Sequence, residues 1–397
     1  MPLPLPDSHP ILCQIIAERI AASPQQRITF AEFMKLALYQ PQYGYYATNR
    51  SGAGIQRDFF TSSHHGSDFG ELLAEQFAEL WLKLDHPDPF TLVEMGAGQG
   101  LLVQDIVRYL HRHHFECFRA LEYLIIETSP ALVRAQQQRL QPLIDRWGKL
   151  HWRTWETIPP ESIIGCCFSN ELVDAFPVHW VEAETELQEV WVRAGQNQPF
   201  EEIVAPLSTP RLLEYFQRLQ IDLLAEHYPK PYRTEVNLGA LDWLATVAQR
   251  LRQGYILTID YGYPAQRYYS PTRSQGTLQC YSQHTHHSNP YVAIGQQDIT
   301  AHVDFTSLEQ QGQICGLQPV GFTQQGLFLM ALGLGDRISA LSQPSPDLTM
   351  SDILQKREAL HALIDPTGLG NFGVLIQGKG LDPAALSLKG FTIPPLL

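Results

Sequence analysis

The sequence has no C-x-x-C cysteine pair and no excess of positive charge, and it contains no apolar run of the roughly 18 residues that a membrane-spanning helix needs. Each absence removes a class of function. The six cysteines, Cys13, Cys117, Cys166, Cys167, Cys280 and Cys315, show no ligand spacing, which argues against a disulfide framework and a zinc site. The adjacent Cys166 and Cys167 sit in an apolar run and read as buried thiols. The first residues carry Pro2, Pro4 and Pro6 without a basic region, so no secretory signal is expected there. Together these features predict a soluble cytoplasmic protein without membrane insertion. With 28 Lys and Arg against 41 Asp and Glu, a net charge of −13, a sequence-tolerant nucleic-acid binder is disfavoured, because phosphate neutralisation needs excess Lys and Arg.

What is present is material for a large core. The chain has 397 residues, 44% hydrophobic and 17% charged, which excludes a disordered protein. That length fits two or three domains, or one enlarged by insertions. Residues 10–38 read as two helices, with Ile11, Ile15, Ile16 and Ile20 sharing one face and Phe30, Phe33, Met34 and Leu38 another. An irregular aromatic stretch from Tyr39 to Tyr46 follows, then a helix from about Asp68 to Leu84.

From residue 90 short apolar strands alternate with helices, the pattern of a parallel α/β sheet. Strands are expected at Phe90–Glu94, Tyr123–Glu127, Ile163–Phe168, Tyr255–Asp260, Pro319–Thr323 and Phe372–Gln377. The intervening helices are expected at Leu101–His114, Ala131–Leu143, Leu238–Arg252 and Thr306–Cys315. Alternation at Val178–Val181 and Glu189–Val192 suggests an inserted hairpin, and a long polar stretch covers about 261–303.

The most informative segment runs from Phe90 through Glu94 to Gly96, Gly98 and Gly100. A strand ends in an acid and opens into G-x-G-x-G at a helix start, where glycines let the backbone approach a cofactor closely. No Gly-Lys-Ser/Thr follows, so this is not a P-loop, and Leu101 stands where the dinucleotide fingerprint wants glycine. Glu127, at the end of the next strand, is placed to accept hydrogen bonds from both hydroxyls of a ribose. The bland alternatives are a structural tight turn and a surface acid.

The E-x-G-x-G-x-G form with this following acid resembles class I S-adenosylmethionine-dependent methyltransferases. Further motifs narrow the resemblance: Gln40-Pro41-Gln42-Tyr43-Gly44-Tyr45-Tyr46, Asp58-Phe59-Phe60-Thr61-Ser62, Phe69-Gly70-Glu71, the run from Ser169 to Val178, Asp260-Tyr261-Gly262, and the run from Gln297 to Thr306. In this order they are similar to the MidA-like methyltransferases, the family of the mitochondrial complex I assembly-factor arginine methyltransferase. The chain departs from the family pattern at Arg57, Met95, Ala97 and Gln99.

The resemblance implies a Rossmann-like seven-stranded α/β sheet, with Phe372–Gln377 as its antiparallel strand at the edge. It also implies an N-terminal helical cap over 1–88 and a methyltransferase domain over 89–397, with insertions at about 178–236 and 261–303. The implied cofactor is S-adenosyl-L-methionine, held by Glu94, Gly96, Gly98, Gly100 and Glu127 with Asp58, Thr61 and Asn170. The implied activity is protein-arginine N-methylation, giving symmetric dimethylarginine on a subunit of respiratory complex I. No metal is expected. His284, His286 and His287 lie in the polar stretch without a carboxylate or cysteine partner at ligand spacing.

A guanidinium keeps its proton at any working pH, so a methylating enzyme must orient it with carboxylates. Glu171 and Asp174, just beyond the strand ending near Ser169, are the expected clamp, Glu171 first and Asp174 in support. Their structural alternative is capping of the turn at Leu172. His302 and Asp304 are the other catalytic candidates, as a proton acceptor and its partner, while Asp304 serves equally as an N-cap for the helix near Thr306. Three other functions remain open: methylation of a different substrate, a non-catalytic assembly factor that keeps the cofactor fold, and, disfavoured by the glycine spacing, a nicotinamide oxidoreductase.

Overall fold

Strands buried along most of their length need cover on both faces, and four such strands stand next to one another in a seven-stranded sheet in the computed structural model. In chain order the strands are β1 (Phe90–Met95), β2 (Leu121–Ile126), β3 (Leu150–Arg153), β4 (Ile163–Asn170), β5 (Leu251–Asp260), β6 (Gln318–Gln324) and β7 (Gly373–Lys379). Across the sheet they run β6-β7-β5-β4-β1-β2-β3. The five strands from β3 to β5 in that order pair in parallel, and β7 is antiparallel to both β5 and β6. The expected antiparallel strand is therefore present, but β6 lies outside it and forms the edge.

The structure describes residues 7–48, 66–196, 198–282, 285–342 and 349–392. Arg57, Asp58, Thr61 and His284 lie outside these residues. Two compact units divide the chain. One, built from Phe60–Leu172, Leu244–Tyr261 and Glu309–Leu397, holds the whole seven-stranded sheet. The other is built from Met1–Phe59, Val173–Trp243 and Gly262–Leu308. No helix among the described residues is long and apolar enough to cross a membrane.

In the first unit, the helix Asp68–Lys83 carries Asp68 and Glu71 in its first turn and Lys83 in its last, as the helix dipole favours. Its buried stripe includes Leu72, Leu73, Phe77 and Leu80, as its periodicity predicts. Phe77 packs on Phe168 of β4 with ring centroids 4.9 Å apart, and Tyr123 of β2 meets the same ring edge-on at 6.3 Å. The helix Leu101–His113 buries Leu102, Val103, Ile106, Val107 and Leu110. The helix Pro130–Trp147 starts on a Ser129 cap, ends four residues later than its periodicity suggests with Gly148 as its C-cap, and carries Pro142 inside.

In the second unit, the expected hairpin exists as His179–Ala183 paired antiparallel with Leu187–Ala194. It widens to five strands by adding Phe200–Ala205, Tyr232–Val236 and the two residues Ile28–Thr29. The helix Phe30–Tyr39 buries Phe30, Phe33, Met34 and Leu38, as expected. The first helix, Pro10–Ala21, differs: Leu12, Ile16 and Ile20 are buried and Ile11 is exposed. Ile16 and Ile20 are buried as expected, while Leu12 takes the inward place expected of Ile11, which lies 100° around the helix from it. The aromatic stretch ends in a short helix, Tyr45–Thr48, and the polar stretch carries a three-stranded sheet of Gln279–Ser282, Thr285–His287 and Asp298–Thr300.

Phe168 is fully buried at the centre of the first unit. Phe168→Ala should cost about 3–5 kcal/mol of stability, read as a lower urea midpoint at unchanged slope.

Candidate active site

Paired in parallel, the central strands finish together. Met95 is the register partner of both Ile126 and Ser169, and Ile259 is the partner of Asn170. In open α/β sheets ligands bind beyond this edge, and the glycine segment, Glu127 and Glu171 all follow directly on these strand ends.

The glycine segment turns on left-handed residues. Gly96 (φ 72°) donates its N–H to Ile126 O at 3.0 Å, and a Cβ there would lie 2.7 Å from Leu172 Cδ1. Gly98 (φ 52°) is different, because a Cβ there would meet no atom within 4 Å. The backbone is therefore bare toward open space, as close approach of a cofactor requires. Gly100 donates its N–H to Ala97 O at 2.7 Å and leads into the helix Leu101–His113.

Glu127 lies one residue past β2, not at its last position, because the β2 pairing ends at Ile126. Its Oε1 accepts the Ser129 N–H at 2.9 Å and its Oε2 accepts Gln136 Nε2 at 3.3 Å. Burial raises its pKa and these donors oppose the rise. Glu94 is almost wholly buried and accepts the Tyr123 hydroxyl at 2.7 Å. Burial pushes its pKa up to about 7, against the Tyr123 hydrogen bond and with a smaller push from Glu127.

After β4 the chain turns sharply. Glu171 has φ 52°, a conformation rare for a residue with a side chain, and its N–H donates to Ile259 O at 2.9 Å. Leu172 N–H donates to Asp260 Oδ2 at 3.2 Å, so the end of β5 holds the turn. Asn170 Nδ2 donates to Glu171 Oε1 at 3.0 Å. Asn170 Oδ1 and Ser169 Oγ are buried with no hydrogen-bond partner among the described residues. Two buried polar atoms at the strand ends, the bare backbone at Gly98 and the carboxylate of Glu127 fit the polar groups of S-adenosyl-L-methionine.

Asp174, His302 and Asp304 belong to the second unit. Asp174 is buried, and its carbonyl accepts the Ala301 N–H at 3.0 Å. Asp304 Oδ1 accepts the N–H groups of Thr306 and Ser307 at 3.0 and 3.2 Å, the N-cap geometry weighed from the sequence, and Oδ2 accepts the Tyr215 hydroxyl at 2.7 Å. Burial raises its pKa to about 6, opposed by Tyr215 and the cap. His302 donates its backbone N–H to Thr277 Oγ1 at 3.0 Å, and burial, with Arg273 adding, lowers its ring pKa to about 4. The imidazole is thus neutral at neutral pH.

Sequence reading overlooked Gln136 and the role of Asp260 in the turn. Gln136 is fully buried four residues before Leu140, and a polar residue on the inward face of a helix was the available signal. Among the described residues no group of three or more His, Cys, Asp or Glu could hold a metal ion.

Comparison with known proteins points to the same cofactor. A family model described as "Putative S-adenosyl-L-methionine-dependent methyltransferase" matches residues 72–323. The mitochondrial protein arginine methyltransferase NDUFAF7 homolog of Drosophila melanogaster is 28% identical over 400 residues, covering 94% of this chain and 86% of that protein. The human mitochondrial protein arginine methyltransferase NDUFAF7 is 28% identical over 386 residues, covering 89% and 81%. A crystal structure from Burkholderia thailandensis, bound to S-adenosyl-homocysteine, superposes with a TM-score of 0.82 at 26% identity, covering 98% of each chain.

The named relatives overturn one expectation. Both are mitochondrial proteins, so the cytoplasmic assignment is corrected. Its basis was too weak to choose, because free cysteines suit any reducing compartment.

The folded protein holds the Glu94 proton up to about pH 7, against 4.5 for an ordinary glutamic acid, so this group makes stability fall as pH rises through that window. Glu94→Gln should remove that part of the slope, seen as a flatter profile of urea midpoint against pH.

Proposed function

The chain belongs to this family of S-adenosyl-L-methionine-dependent methyltransferases, and on that premise we propose that it methylates an arginine side chain of a protein partner. The observation that carries the proposal is that relatives named protein arginine methyltransferases align over most of the chain. The turn that presents Glu171 supports it. A carboxylate held in a left-handed conformation at a strand end is costly to keep and suits a group that must point one way.

Bound S-adenosyl-L-methionine supplies a methyl group on a positively charged sulfur. The residues of the chain bind, orient and accept. Glu127 accepts the ribose hydroxyls, and the backbone from Gly96 to Gly100 lies against the cofactor, with Asn170 and, in the segment outside the described residues, Asp58 and Thr61 completing its contacts. Glu171 pairs with the guanidinium through two parallel N–H···O bonds, which fixes the plane of the group and aims one nitrogen at the methyl.

Methyl transfer to a guanidinium would leave it doubly charged, so it gives up one proton readily and a weak base is enough. The neutral imidazole of His302 is assigned that proton. Asp304, whose oxygens serve the helix cap and Tyr215, is assigned to holding the His302 segment in place. The partner proposed is a subunit of respiratory complex I and the product symmetric dimethylarginine, as the family resemblance implies.

Purified protein incubated with methyl-labelled S-adenosyl-L-methionine and a cell extract should label a protein, with dimethylarginine found on hydrolysis. Glu171→Gln should lower kcat/KM about 100-fold and leave affinity for S-adenosylhomocysteine unchanged. Label confined to small molecules, or a Glu171→Gln enzyme as fast as the parent, would overturn the assignment.

A further inference from the structure

The helix Pro130–Trp147 has two buried residues, Leu140 and the amide of Gln136. Leu140 packs under the glycine segment, its Cδ1 lying 3.1 Å from where a Cβ of Gly100 would be. Gln136 sits one turn earlier, and the partners of its amide explain why a polar group is tolerated there. Its Oε1 accepts Trp152 Nε1 at 2.8 Å. Its Nε2 donates to Gly98 O at 2.9 Å and to Glu127 Oε2 at 3.3 Å.

An indole N–H only donates, so the amide oxygen must face Trp152 and the two N–H bonds must face the other way. The orientation of the amide is therefore set by chemistry. Trp152 is itself fixed in β3, where it is the register partner of Ile125 in β2. One side chain thus joins β3, the segment after β1 and the first residue after β2.

We propose that Gln136 is a positioning residue for the cofactor, its amide aligning the Glu127 carboxylate with the Gly98 backbone to receive the ribose. The proposal rests on the reading of Glu127 as the ribose acceptor. The amide occupies the inner side of one carboxylate oxygen, and Ser129 N–H occupies the other oxygen. Each oxygen keeps further lone pairs for ribose hydroxyls, and the carboxylate has lost its freedom to rotate. Burial already raises the Glu127 pKa, and this N–H opposes the rise, so its loss moves protonation to still higher pH.

The test is calorimetric titration of the full-length protein with S-adenosylhomocysteine and with its 2′-deoxy analogue. Gln136→Leu keeps the bulk and removes the bonds, and it should weaken S-adenosylhomocysteine about 10- to 30-fold. Trp152→Phe frees the amide to flip and should cost about three- to tenfold. Removing the 2′-hydroxyl should cost the parent protein much more than it costs Gln136→Leu, and the affinity of that variant should fall off at a higher pH than the parent as the pH is lowered.

A purely structural role would instead weaken both ligands equally and leave the pH profile in place. Gln136→Leu binding within about twofold of the parent, while Glu127→Gln is weakened, would overturn the proposal. Glu127→Gln binding like the parent would overturn the ribose reading beneath it.

Discussion

Strands paired in parallel must all finish on the same edge of their sheet, whereas antiparallel neighbours alternate. β1, β2, β4 and β5 obey this constraint, and Glu127, Asn170 and Asp260 stand at the far ends of β2, β4 and β5 or one residue beyond them. A strand covered on both faces has no room for Glu127, Asn170 or Asp260 in its middle, so these groups emerge where the cover stops. Their convergence is a by-product of packing. β7, the one strand running the other way, contributes Gly373 at that edge opposite Asp260, and no acid.

Beyond the ladders, hydrogen bonds between strand ends hold the segments that leave this edge. Asp260 at the end of β5 holds Leu172, Ile259 holds Glu171, and Ile126 holds Gly96. Each of these bonds runs from one strand end to the segment that leaves its neighbour. Backbone conformations that are unfavourable in isolation, such as that of Glu171, persist because the neighbours determine them.

Much of this was legible in the sequence, for physical reasons that can be named. Six of the seven strands announced themselves by composition, and the glycine segment by spacing. β3 escaped because Leu150–Arg153 is four residues long with one buried member. In the first helix Ile16 and Ile20 were legible and Leu12 escaped, because Ile11 and Leu12 are both strongly apolar and only packing separates them. Gln136 escaped because an amphipathic pattern assigns any polar residue to the solvent side. Asp304 was legible in only one of its two roles: the cap is local and its signal lies within three residues, while Tyr215 is 89 residues away in the chain. The resemblance to a family supplied what no pattern of periodicity contains, the identity of the cofactor.

The bond between Tyr215 and Asp304 makes the chain hard to shorten. Residues 178–236 look like a removable excursion between β4 and β5, and a minimal version of the enzyme would be drawn without them. Yet Tyr215 lies on the helix Arg211–Leu219 of that excursion and supplies the donor for a buried oxygen of Asp304, at the start of the helix Phe305–Ile314. Cut the excursion away and a carboxylate far downstream is left desolvated without its partner, at the root of the helix that leads back into the sheet. The insertion is structural foundation for polypeptide made after it, and a trimmed enzyme would need a new hydrogen-bond donor for Asp304 before it needed anything else.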